Sequence, residues 1–199
     1  MTSQLERATF TTSRLLDFFS EKELTAQTGH APAQWPVVIL KELADNALDA
    51  CEEAGIAPVI EVTVNRDGIT VTDSGPGIPL ETVAGVLDYS VRVSSREAYV
   101  APDRGAQGNA LKTILAMPFV LDGLAGRVTV TARGARHEIG VRVDPIRQKP
   151  VIEHERHPAD VSTGTIVTVH WPDSASSILD GARHRFSNSP RTSPGSTHT

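Results

Sequence analysis

The sequence predicts an α+β protein with helices packed on one face of a sheet. Three observations carry this. Helical spacing dominates the first half, above all between Trp35 and Ala54. Alternating apolar and polar residues dominate the second half, at Arg127–Arg133, His137–Val143 and Thr165–Trp171. Turn residues rather than helical crossovers separate the neighbouring strand-like runs, which favours antiparallel pairing.

Taken in order, residues 12–20 read as a short amphipathic helix that Thr12 or Ser13 can cap. Residues 21–33 are polar and contain Gly29 and Pro32, so they read as a loop. The main helix starts near Trp35-Pro36, with proline in its first turn, and stops at Gly55. Two strands, Val59–Val64 and Gly68–Thr72, flank the hairpin signature Asn65-Arg66-Asp67-Gly68. Leu80–Leu87 is a second short helix entered through Pro79. Residues 88–107 are irregular and rich in Ser, Arg and Gly, a length expected only of a functional lid. Asn109–Met117 resumes helical spacing and is expected to stop at Pro118. The strands on either side of Gly134-Ala135 follow, then Thr165–Trp171. From Ser174 onward the composition cannot offset its ordering entropy, so disorder is expected, or at most a frayed helix near Ile178-Leu179.

The 199 residues, 39% of them hydrophobic, suffice for one sizeable core. One cysteine, Cys51, excludes an internal disulfide and any multi-cysteine zinc site. The start lacks a signal-peptide core, and the longest apolar stretch is broken by Pro118 and Asp122. A cytoplasmic protein with no membrane association is therefore expected. A net charge of −5 argues against direct DNA binding by this chain alone.

Chemistry concentrates in four blocks. Glu42, Asp45, Asn46 and Asp49 share one face of the main helix, opposite Leu43, Ala44, Ala47 and Leu48. In an ATP site the Asn46 oxygen can complete a magnesium shell, and Glu42 can take a proton from an attacking water. Asp45 and Asp49 stay open between orienting Glu42 or a magnesium-bound water and simple solvation. The whole helix also reads as an ordinary amphipathic one. The second block is Asp73-Ser74-Gly75-Pro76-Gly77. Asp73 can accept from the adenine exocyclic amine, and bare Gly77 lets a flat base approach; a tight turn after a strand is the alternative. In the third block, Arg104, Gly105, Gln107, Gly108 and Ala110 precede or open a helix whose N-terminal amides attract phosphate, with Lys112 adding charge. It is neither a P-loop nor a dinucleotide fingerprint, and a flexible glycine loop is the alternative. Last, Thr165 follows Gly164 and can share a water with Asp73 and the base.

Together these blocks, in this order and at these intervals, resemble the GHKL superfamily of gyrase B subunits, ninety-kilodalton heat-shock chaperones, histidine kinases and MutL. Lys41–Ile56, Asp73–Pro79, Ser94-Ser95-Arg96 and Arg104–Gly108 look most like the B subunit of type IIB DNA topoisomerases (topoisomerase VI). The resemblance covers about residues 10–170. It implies a Bergerat-type two-layer α/β sandwich with a mixed, mostly antiparallel sheet. It implies a strap-like segment at 1–24, an ATP-binding domain at 25–173 and a tail at 174–199. It also implies Mg2+-dependent ATP binding and slow hydrolysis, with Glu42 as general base and Asn46 as the metal ligand. Asp73 would bind adenine beside Gly75, Gly77 and Thr165. Asp49, Ser95, Arg104, Gly105, Gln107, Gly108, Ala110 and Lys112 would complete the nucleotide site, with 88–107 as lid. Closure would form a homodimer, the strap crossing to the partner. The second glycine box departs from the pattern at Asn109-Ala110-Leu111-Lys112. The family's transducer domain, whose lysine reaches the γ-phosphate, is not expected in this chain, so a topoisomerase activity would need a partner protein carrying the DNA-cleaving or effector part. A non-hydrolysing ATP-binding regulator, or a truncated relative working through a partner protein, is the competing expectation.

Overall fold

The computed structural model describes residues 19–87, 107–144, 146 and 149–187. The amphipathic helix expected at 12–20, but for its last two residues, and nearly all of the expected lid lie outside the described residues. Among the described residues six strands form one sheet in the order β1-β2-β6-β3-β4-β5. They are β1 (Ile60–Val64), β2 (Gly68–Asp73), β3 (Ala125–Ala132), β4 (Ala135–Asp144), β5 (Lys149–Pro158) and β6 (Thr165–His170). Every pairing among them is antiparallel.

The registers fix which side chains share a face. Ile69, Val169, Val128 and Ile139 align across β2, β6, β3 and β4, with Val71, Val167 and Val130 in the next row. These residues are buried and join one core cluster with the helices. Each such side chain, removed from water, contributes roughly 1.5–3 kcal/mol. The opposite face is polar: Thr70 and Thr168 hydroxyls lie 3.0 Å apart, and Thr129 Oγ1 is 2.9 Å from His170 Nε2.

Among the described residues, five α-helices accompany the sheet: α1 (Glu21–Thr28), α2 (Trp35–Glu53), α3 (Leu80–Leu87), α4 (Gln107–Asp122) and α5 (Ser176–Ser187). Among them, α2 and α3 have the bounds that capping and proline signals indicate. In α2, Ile39, Leu43, Ala47 and Cys51 form the buried stripe, at the spacing that seats a helix on a sheet. Leu48, expected on that apolar face, is 44% exposed.

Three expectations are corrected and one strand is added. Residues 21–28 are helical rather than loop: Ser20 caps α1 by accepting from the Glu23 N–H at 3.3 Å, and Gly29 closes it with φ 71°. The signal is weak because Leu24 is its one buried residue. Pro118 does not end α4, which continues to Asp122. Leu111 to Phe119 are all buried, and that packing outweighs the hydrogen bond a proline removes. Strand β5 is an addition to the expected elements, because the run Glu153 to His157 is exposed and charged and lacks alternation. Residues 176–187 form α5, a longer helix than the frayed one allowed near Ile178-Leu179 in an otherwise disordered tail, since Leu179 and Ala182 are buried and Arg185 donates to the Ala33 carbonyl at 3.2 Å.

Candidate functional site

A cavity of about 440 Å³ lies between α2 and the C-terminal end of β2. Leu43, Asn46, Ala47 and Ala50 form one wall, and Val71, Asp73, Thr165 and Val167 form the opposite one. Gly77, Ile78 and Pro79 bound it from the loop after β2, and Thr82 and Val86 from α3. Glu53 and Ala54 at the end of α2, Pro76, Leu111 of α4 and Arg133 of the β3–β4 turn complete it. The volume and the apolar lining with few polar groups are those of a small-molecule site.

Asn46 reaches this wall because its neighbours are pinned. Leu43 and Ala47 are buried against the sheet, so residue 46 sits at the edge of the stripe, beside the cavity. Asp73 ends β2 on the same sheet face as Val71, two residues earlier. Its Oδ1 accepts from the Gly75 N–H at 2.8 Å and from the Thr165 N–H at 3.2 Å. Among the described residues Oδ2 has no hydrogen-bond partner. The carboxylate is thus held by one oxygen and keeps the other for a ligand donor.

The loop after β2 is closed by backbone contacts that leave no room for side chains. The Gly164 N–H donates to the Gly75 carbonyl at 2.7 Å. A Cβ on Gly164, at φ +76°, would lie 2.2 Å from the Asp73 carbonyl oxygen. A Cβ on Gly77, at φ +79°, would lie 3.0 Å from both the Gly164 oxygen and Arg133 Cγ. The Ser74 hydroxyl anchors the other side, accepting from the Val59 N–H at 3.0 Å.

Of the residues singled out in the sequence, Asn46, Asp73, Gly77 and Thr165 meet in this one cavity. Gly75 acts behind it, through its backbone. Glu42 and Asp49 lie on α2 but do not line the cavity. Asp45 is also absent from the lining and forms an exposed pair with Lys41 at 2.5 Å. That hydrogen bond, Asp45's charge and then Glu42's hold the Lys41 ammonium above its ordinary range. Ala110 and Lys112 are on α4 away from the cavity lining, with Lys112 only 9% exposed. Gln107 and Gly108 open α4. Ser95, Arg104 and Gly105 lie outside the described residues.

Arg133 is a cavity residue that the sequence does not mark. It reads there as the end of a strand, but the β3–β4 register closes at Ala132–Ala135 and leaves Arg133-Gly134 as a two-residue turn. A glycine between two alternating runs is the available signal.

A family profile described as "Histidine kinase-, DNA gyrase B-, and HSP90-like ATPase" matches residues 33–175. The chain is 33% identical over 147 residues to the B subunit of type 2 DNA topoisomerase 6 from Natronomonas pharaonis, covering 69% of this chain and 18% of that one. It is 43% identical over 81 residues to the same subunit from Archaeoglobus fulgidus, covering 39% and 13%. For its counterpart in Methanosarcina mazei the values are 38% over 97 residues, covering 46% and 15%. The chain therefore spans less than a fifth of the length of these relatives.

Proposed function

This chain belongs to the histidine kinase-, DNA gyrase B- and HSP90-like ATPase family, and from that membership we propose that its cavity binds ATP with Mg2+. In this reading Glu42 supports slow hydrolysis, and the domain is a nucleotide-gated dimerisation or regulatory module. It works in the cytoplasm with a partner protein that carries any DNA-cleaving or effector part, as the topoisomerase relatives suggest.

One observation carries the reading: Asn46, Asp73, Gly77 and Thr165 share one cavity, and Asp73 keeps one carboxylate oxygen for a donor. The adenine amine supplies such a donor, and Val71, Val167, Leu43 and Ile78 offer apolar surface to a flat base.

The Asn46 side-chain oxygen suits a hard cation. Among the described residues no three His, Cys, Asp or Glu side chains cluster into a metal cage, so phosphate oxygens and water would supply the other ligands. Magnesium, when bound, neutralises charge on the phosphates and orients them. Glu42 lies one helical turn before Asn46, about 6 Å along the axis. From there it can accept the proton of a water attacking the terminal phosphate. The amides that open α4 offer donors to the phosphates.

The position of Glu42 outside the cavity lining favours a second reading, in which ATP binds and is not hydrolysed. Titration with a non-hydrolysable ATP analogue and Mg2+, followed by a molecular-mass measurement, tests the proposal. Micromolar to millimolar binding with a doubling of mass supports a nucleotide-gated dimer. Binding without a mass change supports a monomeric regulator. Absence of binding removes the ATP reading.

A further inference from the structure

Arg133 is the one cationic side chain lining the cavity among the described residues. Its backbone is in the left-handed region, φ 47°, and Gly134 follows at φ 74°. A two-residue hairpin turn with both φ values positive favours Asn, Asp or Gly at its first position. Arginine gains nothing there from backbone preference. A strained residue beside a cavity points to a role for its side chain.

The side chain is placed for such a role. Arg133 Nε donates to the Pro76 carbonyl at 3.2 Å, and its Cγ packs over Gly77. The residue before it, Ala132, pairs with Thr165. Arg133 therefore sits at the Asp73, Gly77 and Thr165 end of the cavity. The residue is exposed, and among the described residues its two terminal nitrogens have no partner.

We propose that Arg133 is a base-contacting residue, which lays its guanidinium plane against the purine of the bound nucleotide and sets affinity at the base end. This rests on the ATP reading above and deepens it. The Nε bond to Pro76 limits the plane's rotation, so the contact is preorganised. A guanidinium over an aromatic face is attracted by the ring's π-electrons.

The test uses Arg133→Gly and Arg133→Asn, which suit the turn better than arginine does, with adenosine and ATP·Mg2+ as ligands. Thermal midpoints should be unchanged or raised. Affinity for adenosine and for ATP should fall by the same factor, on the order of tenfold. Arg133→Lys, which keeps the charge and loses the plane, should restore only part of it. Unchanged adenosine affinity overturns the proposal, as does a loss confined to ATP, which would mark a phosphate contact. Full recovery by lysine also overturns it. A wild-type protein that binds neither ligand removes the ATP reading itself; a wild type that binds both, with an indifferent Arg133→Gly, removes only the contact proposed here.

Discussion

The Asp73 carboxylate accepts the Thr165 N–H at 3.2 Å through Oδ1, the same oxygen that accepts the Gly75 N–H at 2.8 Å. Two segments far apart in sequence thereby orient one side chain by one of its two oxygens.

This geometry sharpens the consequence of Asp73→Asn. The two backbone donors require an acceptor, so the amide must place its oxygen where Oδ1 stands and its NH2 where Oδ2 stands. A donor then faces the adenine amine. ATP affinity should drop by about two orders of magnitude, which calorimetric titration measures, since an unmatched buried donor pair costs about 1–3 kcal/mol. The fold keeps both backbone hydrogen bonds, so the thermal midpoint should move little. Equal affinity in both proteins would remove Asp73 from the site.

Gly164→Ala should destabilise the fold by about 3 kcal/mol or more, read from urea midpoints. The left-handed conformation alone costs a non-glycine residue about 1–3 kcal/mol. The new Cβ would in addition sit 2.2 Å from a carbonyl oxygen. Arg133 has a positive φ too, yet occupies an open turn. The crowding, more than the dihedral, sets the penalty. A loss under about 1 kcal/mol, the lower end of the dihedral cost alone, would mean that Gly164 approaches the Asp73 carbonyl less closely than this structure has it.

Glu42→Ala should leave ATP binding intact and lower turnover by about 10²–10⁴-fold, the usual contribution of a general base. Phosphate release under single-turnover conditions distinguishes this from slower product release. Undiminished turnover would reassign the base and favour the non-catalytic reading.

Stability should decline on the acid side of neutrality. Burial lowers the His137 imidazole below its ordinary 6.5, and His154 and then Arg156 add to the shift. His137 is 3% exposed, and its Nδ1 is 2.9 Å from His154 Nε2. With the folded pKa below the unfolded one, the unfolded chain takes up the proton first as pH falls through about 6.5. The contribution is fully present above that value and is lost below it. His170 acts in the same direction, through burial and the charges of Arg127 and Arg136. Urea midpoints should therefore fall as the pH is lowered from about 8 to about 5, across the ordinary imidazole range, and His137→Leu should show a smaller fall. A flat profile in the wild type would contradict this.

Much of the fold is legible locally. Helix α2 announces itself by the spacing of Ile39, Leu43, Ala47 and Cys51 and by its Trp-Pro start and Gly55 stop. The first hairpin is written in Asn65, whose Oδ1 accepts from the Asp67 and Gly68 N–H groups at 2.9 and 3.1 Å. Where burial is complete or absent, periodicity fails. In α4 every side of the helix from Leu111 to Phe119 is covered, so no stripe appears and Pro118 misleads. In β5 the charged residues of an exposed edge strand carry no alternation to read.

The sequence by itself determined which residue types stand ready for a nucleotide, because Asn, Asp and glycine at fixed short intervals reflect local demands of helix face and tight turn. Only the tertiary structure decided which of them meet. Pairing β6 beside β2 brings Thr165 to Asp73, and the register of β3 against β4 turns a strand-like Arg133 into a cavity wall. Asp45 does not line the cavity and pairs instead with the exposed Lys41. Strand order and register are set by long-range burial of alternating faces, a cooperative choice that no short window of sequence contains.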